Sequence, residues 1–217
     1  MLAGAGSFDD RRHAGRALGA ALEEAGVAAD LVLGIPRGGV IVAAEVADAL
    51  GAPLDVGLAG KLGAPGNPEL ALGAVGPDGR YGIDDDLADR MAVDGPWIER
   101  SVARVRAELD RRLAAYRGDR PPVEVAGRRV VVVDDGVATG RTAAAVGAWL
   151  VAAGAGEATL AVPVGPPEAA DRLRPPYHRV VVLVAPPGFR AVGERYSRFG
   201  QTTDEEVVAA LDARRPG

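Results

Sequence analysis

From Val130 to Val133 four β-branched residues follow one another with no polar interruption. A strand with one face in water alternates apolar and polar residues, whereas an unbroken run is covered on both faces, so this stretch predicts a central strand of a parallel sheet. Similar short apolar runs stand at Leu31 to Ile35, Leu54 to Leu58, Ala158 to Val164 and Arg179 to Val184. Between them the apolar residues recur at helical spacing. Phe8, Ala14, Ala17, Leu18, Ala21, Leu22 and Ala25 predict a first helix, capped at Ser7 with Asp10 three residues on and stopped at Gly26. Val40 to Leu50 predicts a second, ended by Gly51, and Thr142 to Ala153 a third. Asp94 and Pro96 open a long helix with Ile98, Val102, Val105, Leu109 and Leu113 along one face. On that helix Glu108 is spaced to pair with Arg112, the charges down to Arg117 form a solvated face, and exposed apolar residues suit a dimer contact. A last helix, Thr203 to Ala213, follows the capping run that starts at Gln201. Strand and helix units with Gly- or Pro-rich strand ends predict an α/β fold: an open, mostly parallel sheet with helices on both faces.

Asp134 and Asp135 stand where the central strand stops. Gly136 and Gly140 then let the chain turn, Val137 and Ala138 lie between them, Thr139 and Thr142 add hydroxyls, and Arg141 adds a cation. Such a loop aims backbone N–H groups and a helix N-terminus at one point, where an anion is favoured. Carboxylates accept from hydroxyls, each charge-assisted bond being worth roughly 1.5–3 kcal/mol, so acid pair and anion cradle together suit a sugar phosphate. A Walker A loop needs four residues between its glycine and the Gly-Lys pair, a spacing this segment lacks, and no dinucleotide fingerprint follows any strand. A ligand-free acid pair capping the next helix is the remaining alternative. A second strand–glycine turn–helix unit, Pro36-Arg37-Gly38-Gly39, places Arg37 at the same sheet edge. The Gly- and Pro-rich span from Ala59 to Glu69 reads as a long loop, and it holds Lys61, the only lysine in the chain. Arg80 to Ile83 predicts the return strand of a hairpin closing it, and Asp84-Asp85-Asp86 a turn and helix start. The aromatics Phe189, Tyr196 and Phe199 either stack on a heterocycle or seal the core edge, the seal being favoured.

Composition narrows the class. The 217 residues suffice for one domain carrying a small hood, and the formal net charge of −5 argues against bulk electrostatic nucleic-acid binding. No cysteine is present, which removes disulfides, thiolate catalysis and zinc-thiolate sites. Without a signal-like N-terminus or a membrane-length apolar run, a cytoplasmic protein is expected.

Val130 to Thr142 resembles the phosphoribosyl pyrophosphate signature of the type I phosphoribosyltransferases, and Pro36-Arg37-Gly38-Gly39, Lys61 to Glu69 and the Gln201 to Glu206 ending are similar to one branch of that family. The resemblance spans nearly the whole chain. It implies a single domain over residues 1–217, with a flexible catalytic loop at about 60–80 and a C-terminal segment from about 186. Asp134 and Asp135 would bind the ribose, the loop from Gly136 to Thr142 the 5′-phosphate, and Arg37, Gly38, Gly39 and Lys61 the pyrophosphate, with Mg²⁺ carried mainly by substrate and water. A cis peptide not preceding proline is implied in the Pro36 loop. Two departures stand out: Gly60 replaces a basic residue before Lys61, and Ala138 replaces the aspartate that takes the acceptor's proton in the purine enzymes. The implied activity transfers a phosphoribosyl group to an unidentified nitrogenous acceptor, in a cytoplasmic homodimer. Alternatives are a non-catalytic sensor of phosphoribosyl pyrophosphate or nucleotides with the same fold, and a hydrolase or pyrophosphorylase of the same sugar phosphate.

Overall fold

In chain order the elements are α1 (Arg11–Glu24), β1 (Leu31–Gly34), α2 (Gly38–Leu50), β2 (Leu54–Val56), β3 (Gly60–Ala64), β4 (Asn67–Val75), β5 (Tyr81–Ile83), α3 (Asp85–Arg90), α4 (Gly95–Arg117), β6 (Arg129–Val133), α5 (Arg141–Ala152), β7 (Glu157–Val164), α6 (Ala169–Arg172), β8 (Arg179–Val184) and α7 (Asp204–Asp212), with one 3-10 turn at Val192–Arg195. The computed structural model describes residues 7–118 and 123–214; the outermost residues of the expected domain and C-terminal segment lie outside them. Five strands form a parallel sheet in the order β2-β1-β6-β7-β8.

The absence of alternation in β6 has a direct cause. Val130 and Val132 point to one side, where Val146, Trp149 and Leu150 of α5 cover them; Val131 and Val133 point to the other, against Leu18, Leu22, Val42 and Val46 of α1 and α2. All four valines are at most 1% exposed. Burying each is worth roughly 1.5–3 kcal/mol. The predicted α/β architecture, a parallel sheet flanked by helices on both faces, is therefore the one observed. Gly51 ends α2 in the left-handed region as its position predicts, with φ 60°.

Three expectations need correction. The first helix is capped by Asp10, whose carboxylate accepts from the His13 N–H, and not by Ser7. The span from Ala59 to Glu69 is not an irregular loop but holds β3 and the start of β4, which form with the expected return strand β5 a second, antiparallel sheet in the order β3-β4-β5. Its glycines allow close packing: a Cβ at Gly60 would collide with Val105 of α4, one at Gly73 with the backbone of Gly82, and one at Gly76 with Trp149 of α5. Arg117 is not solvated. It is 5% exposed and grips Asp55 in the middle of β2, Nε to Oδ1 at 3.1 Å and Nη2 to Oδ2 at 2.9 Å. The apolar face of α4 packs inward as well, Val105, Leu109 and Leu113 meeting Leu58 and Leu62. Those residues are therefore occupied within the chain.

Candidate active site

Strands β1 and β6 are neighbours in parallel register, Gly34 beside Val133, so the turns that follow them emerge at one sheet edge. That topology brings Pro36-Arg37-Gly38 against Asp134-Asp135, although about a hundred residues separate them in the chain. The approach is close enough to require glycine. A Cβ on Gly38 would collide with the Asp135 carboxylate, and one on Gly39 would lie 2.8 Å from the Asp134 Cα. The peptide between Pro36 and Arg37 is cis, a bond not preceding proline, at the place the sequence resemblance implied.

A cavity of about 470 Å³ opens at this edge, lined by Arg37, Gly38, Asp134, Asp135 and Thr142, by Arg11 of α1, and by Phe199 to Thr202 of the tail. Asp134 Oδ1 accepts from the Asp135 N–H at 2.8 Å. Burial first, and the neighbouring Asp135 charge second, push the Asp134 carboxyl well above the ordinary 3.8. Asp135 is anchored from two sides: its Oδ2 receives the Arg11 Nε–H at 2.7 Å, and its carbonyl receives the Tyr196 hydroxyl at 2.6 Å. Burial, followed by the Asp135 charge, raises Tyr196, which keeps that hydroxyl a donor at neutral pH.

Beyond the acids the loop divides into structural and exposed parts. The Val137 N–H donates to the Val164 carbonyl at 2.9 Å and its side chain is buried, so this residue fastens the loop to β7. Gly136 is packed against Val164 and Val192. Ala138 and Thr139 face solvent, the Ala138 carbonyl accepting from Arg172 at 2.9 Å. Gly140 starts α5 in the left-handed region, φ 72°, a conformation that costs other residues roughly 1 kcal/mol or more.

The expected cations are divided between two places. Arg37 sits in the cavity, its guanidinium 4.0 Å from Asp204 at the start of α7. Lys61 lies elsewhere, 3.6 Å from Glu69, and Glu69 also receives Arg141 at 2.9 Å. Lys61, Glu69 and Arg141 line a second cavity of about 620 Å³, floored by Ala144, Ala145 and Ala148 of α5. Arg141 and Thr142, consecutive in the chain, line the two cavities respectively. Sequence alone gives Arg11 no role, whereas Phe199, expected to stack on a heterocycle or to seal the core edge, lines the cavity with its ring 4.9 Å from that of Tyr196. The one available signal for Arg11 was a cation in the first turn of a helix; its partner lies 124 residues away, beyond any local pattern.

Fold and sheet-edge cavity together define a class, a parallel α/β scaffold that presents an acid pair and a glycine-rich loop at adjoining strand ends. Residues 9–190 match the phosphoribosyl transferase domain, and the chain belongs to that family. A Mycobacterium tuberculosis H37Rv protein named "Putative phosphoribosyl transferase Rv0571c" is 45% identical over 205 residues, which cover 94% of this chain and 46% of that protein, and its CDC 1551 counterpart matches equally. The chain thus spans about half the length of these relatives. The crystal structure of TT1426 from Thermus thermophilus is similar with a TM-score of 0.87 and 47% identity, covering 97% of this chain and 100% of that one. Among the described residues no helix is long and apolar enough to cross a membrane.

Proposed function

We propose that residues 1–217 form one phosphoribosyltransferase unit that moves the 5-phosphoribosyl group from phosphoribosyl pyrophosphate to a nitrogenous small molecule and releases pyrophosphate. The observation that supports this reading is the cavity lined jointly by Arg37, Gly38, Asp134, Asp135 and Thr142. In the reaction the bond from ribose C1 to the pyrophosphate oxygen breaks and a bond from C1 to the acceptor nitrogen forms. Negative charge gathers on the leaving group and positive charge on the ring, so the site must stabilise both. Asp134 and Asp135 accept from the ribose hydroxyls and offset the ring charge. Arg37 and the Gly38 turn hold the pyrophosphate, and the Gly136 to Thr142 loop takes the 5′-phosphate. Lys61 joins the pyrophosphate when the β3–β5 hood closes, which also excludes water.

Mg²⁺ keeps several waters and binds readily through substrate phosphates, so here it would be carried mainly by the donor and water. Bound with the donor, it would neutralise charge on the departing pyrophosphate. Ala138 offers only a methyl group where the purine enzymes have an aspartate, so an acceptor with a nitrogen lone pair free at neutral pH suits the site. The reading carries with it a cytoplasmic homodimer, to be checked by sizing chromatography and fractionation.

The test is pyrophosphate release from phosphoribosyl pyrophosphate and Mg²⁺ across a panel of bases and amines, beside donor-induced thermal shifts. Turnover with an acceptor is expected. Tight donor binding without turnover would favour a sensor instead, and release independent of acceptor would favour a hydrolase. Asp134→Asn with Asp135→Asn should abolish the donor-induced shift, and an unchanged shift in the folded double variant would overturn the site assignment.

A further inference from the structure

Arg11 is a half-buried cation that the proposed chemistry leaves without a task, and three separate contacts hold it. Its Nε donates to Asp135 Oδ2 at 2.7 Å, with the two side chains 13% and 16% exposed. Its Nη1 donates to the Gly200 carbonyl at 2.7 Å, and its guanidinium lies 4.1 Å from the centroid of the Phe199 ring. Phe199 in turn stacks on Tyr196, at 4.9 Å between centroids, and Tyr196 holds the Asp135 carbonyl. Asp135 is thus fixed at both its backbone and its carboxylate by one circuit built from α1 and the tail. So held, Asp135 lines the cavity beside Asp134.

We infer that Arg11 is a positioning residue for the donor site: it orients the Asp135 carboxylate toward a ribose hydroxyl, and it ties the Phe199 to Thr202 segment to the cavity wall. A planar guanidinium suits this task, because it makes two directed hydrogen bonds while its face rests on an aromatic ring; an ammonium satisfies one of these at a time. The inference rests on the proposed binding of phosphoribosyl pyrophosphate, and the experiment separates the two.

Affinity for phosphoribosyl pyrophosphate with Mg²⁺ is measured by calorimetry for the wild type, Arg11→Gln, Arg11→Lys, Asp135→Asn and the Arg11→Gln/Asp135→Asn double variant. Arg11→Gln should weaken binding about ten-fold, the equivalent of one charge-assisted contact. Because Arg11 acts through Asp135, the double variant should bind within about two-fold of Asp135→Asn alone, a coupling that additive, independent damage would not produce. Hydrogen exchange in residues 199–202 should rise in both Arg11 variants. Absence of binding by the wild type overturns the donor reading itself. Wild-type binding with Arg11→Gln unaffected, or with the two substitutions additive, overturns the role of Arg11 alone. If Arg11→Gln loses the folded transition, Arg11→Lys decides: a several-fold weakening supports the inference, and wild-type affinity with unchanged exchange in the tail overturns it.

Discussion

Asp134 is held in a position that disfavours its own charge. Burial and the adjacent Asp135 push its folded-state pKa above the ordinary carboxylate value, so the native state binds its proton more tightly than the unfolded chain does. The linkage has a definite sign. With the folded value raised, the contribution to stability is complete below 3.8 and is lost as the pH rises through the higher folded value. Asp134→Asn removes that loss while its amide oxygen can still accept from the Asp135 N–H. In ligand-free protein the variant should therefore match the wild type near pH 4 and gain melting temperature over it as the pH is taken to 8. Melting curves that stay parallel across the range would contradict this account. The same substitution should weaken donor binding, because a ribose hydroxyl then meets a neutral amide in place of a carboxylate. A residue that costs the empty protein stability and serves the occupied one is a common feature of functional sites.

At the scale of elements, α4 is held to the sheet by both packing and charge. Its apolar face covers Leu58 and Leu62, and Arg117 in its last turn reaches the buried Asp55 and donates to the Val56 carbonyl at 3.2 Å. Removing one member of a buried ion pair strands the other, typically at about 3–5 kcal/mol, whereas replacing both members often costs far less. Arg117→Leu should lower urea stability by that amount, and adding Asp55→Leu should restore much of it; a double variant no more stable than the single would refute the pairing. This element also marks where sequence reading stops. The four valines and the acid pair declared β6 and its loop because a two-sided strand leaves a local signature. The pairing of Asp55 with Arg117 spans 62 residues and that of Arg11 with Asp135 spans 124, so neither leaves one. Strands β3 and β4 were misread as a loop for a different reason. Glycines in and next to them look like loop residues in the sequence, but in three dimensions they admit Val105, Gly82 and Trp149 at close range.

Taken as a whole, the molecule consists of a parallel sheet with its acid pair and an antiparallel hood that carries Lys61, and Glu69 joins them across the second cavity. Glu69 holds Lys61 of β3 and Arg141 at the start of α5 at once, with its own side chain 76% exposed. Exposed ion pairs are worth only about 0–1 kcal/mol each, so a phosphorylated ligand can displace this carboxylate at little cost. If Lys61 and Arg141 meet the donor as proposed, Glu69 is a stand-in anion for two cations and competes with the donor for them. Glu69→Gln removes that competition while keeping the side chain's size. Affinity for phosphoribosyl pyrophosphate should rise about two- to five-fold at low ionic strength, and the gain should shrink at 1 M salt, where the Debye length falls to about 3 Å. Proteolysis at the Pro65-Gly66 turn between β3 and β4 should quicken in the ligand-free variant, because one link from the hood to α5 is lost. An affinity that falls, or a gain that persists unchanged at high salt, would show that Glu69 does not compete with the donor for these cations.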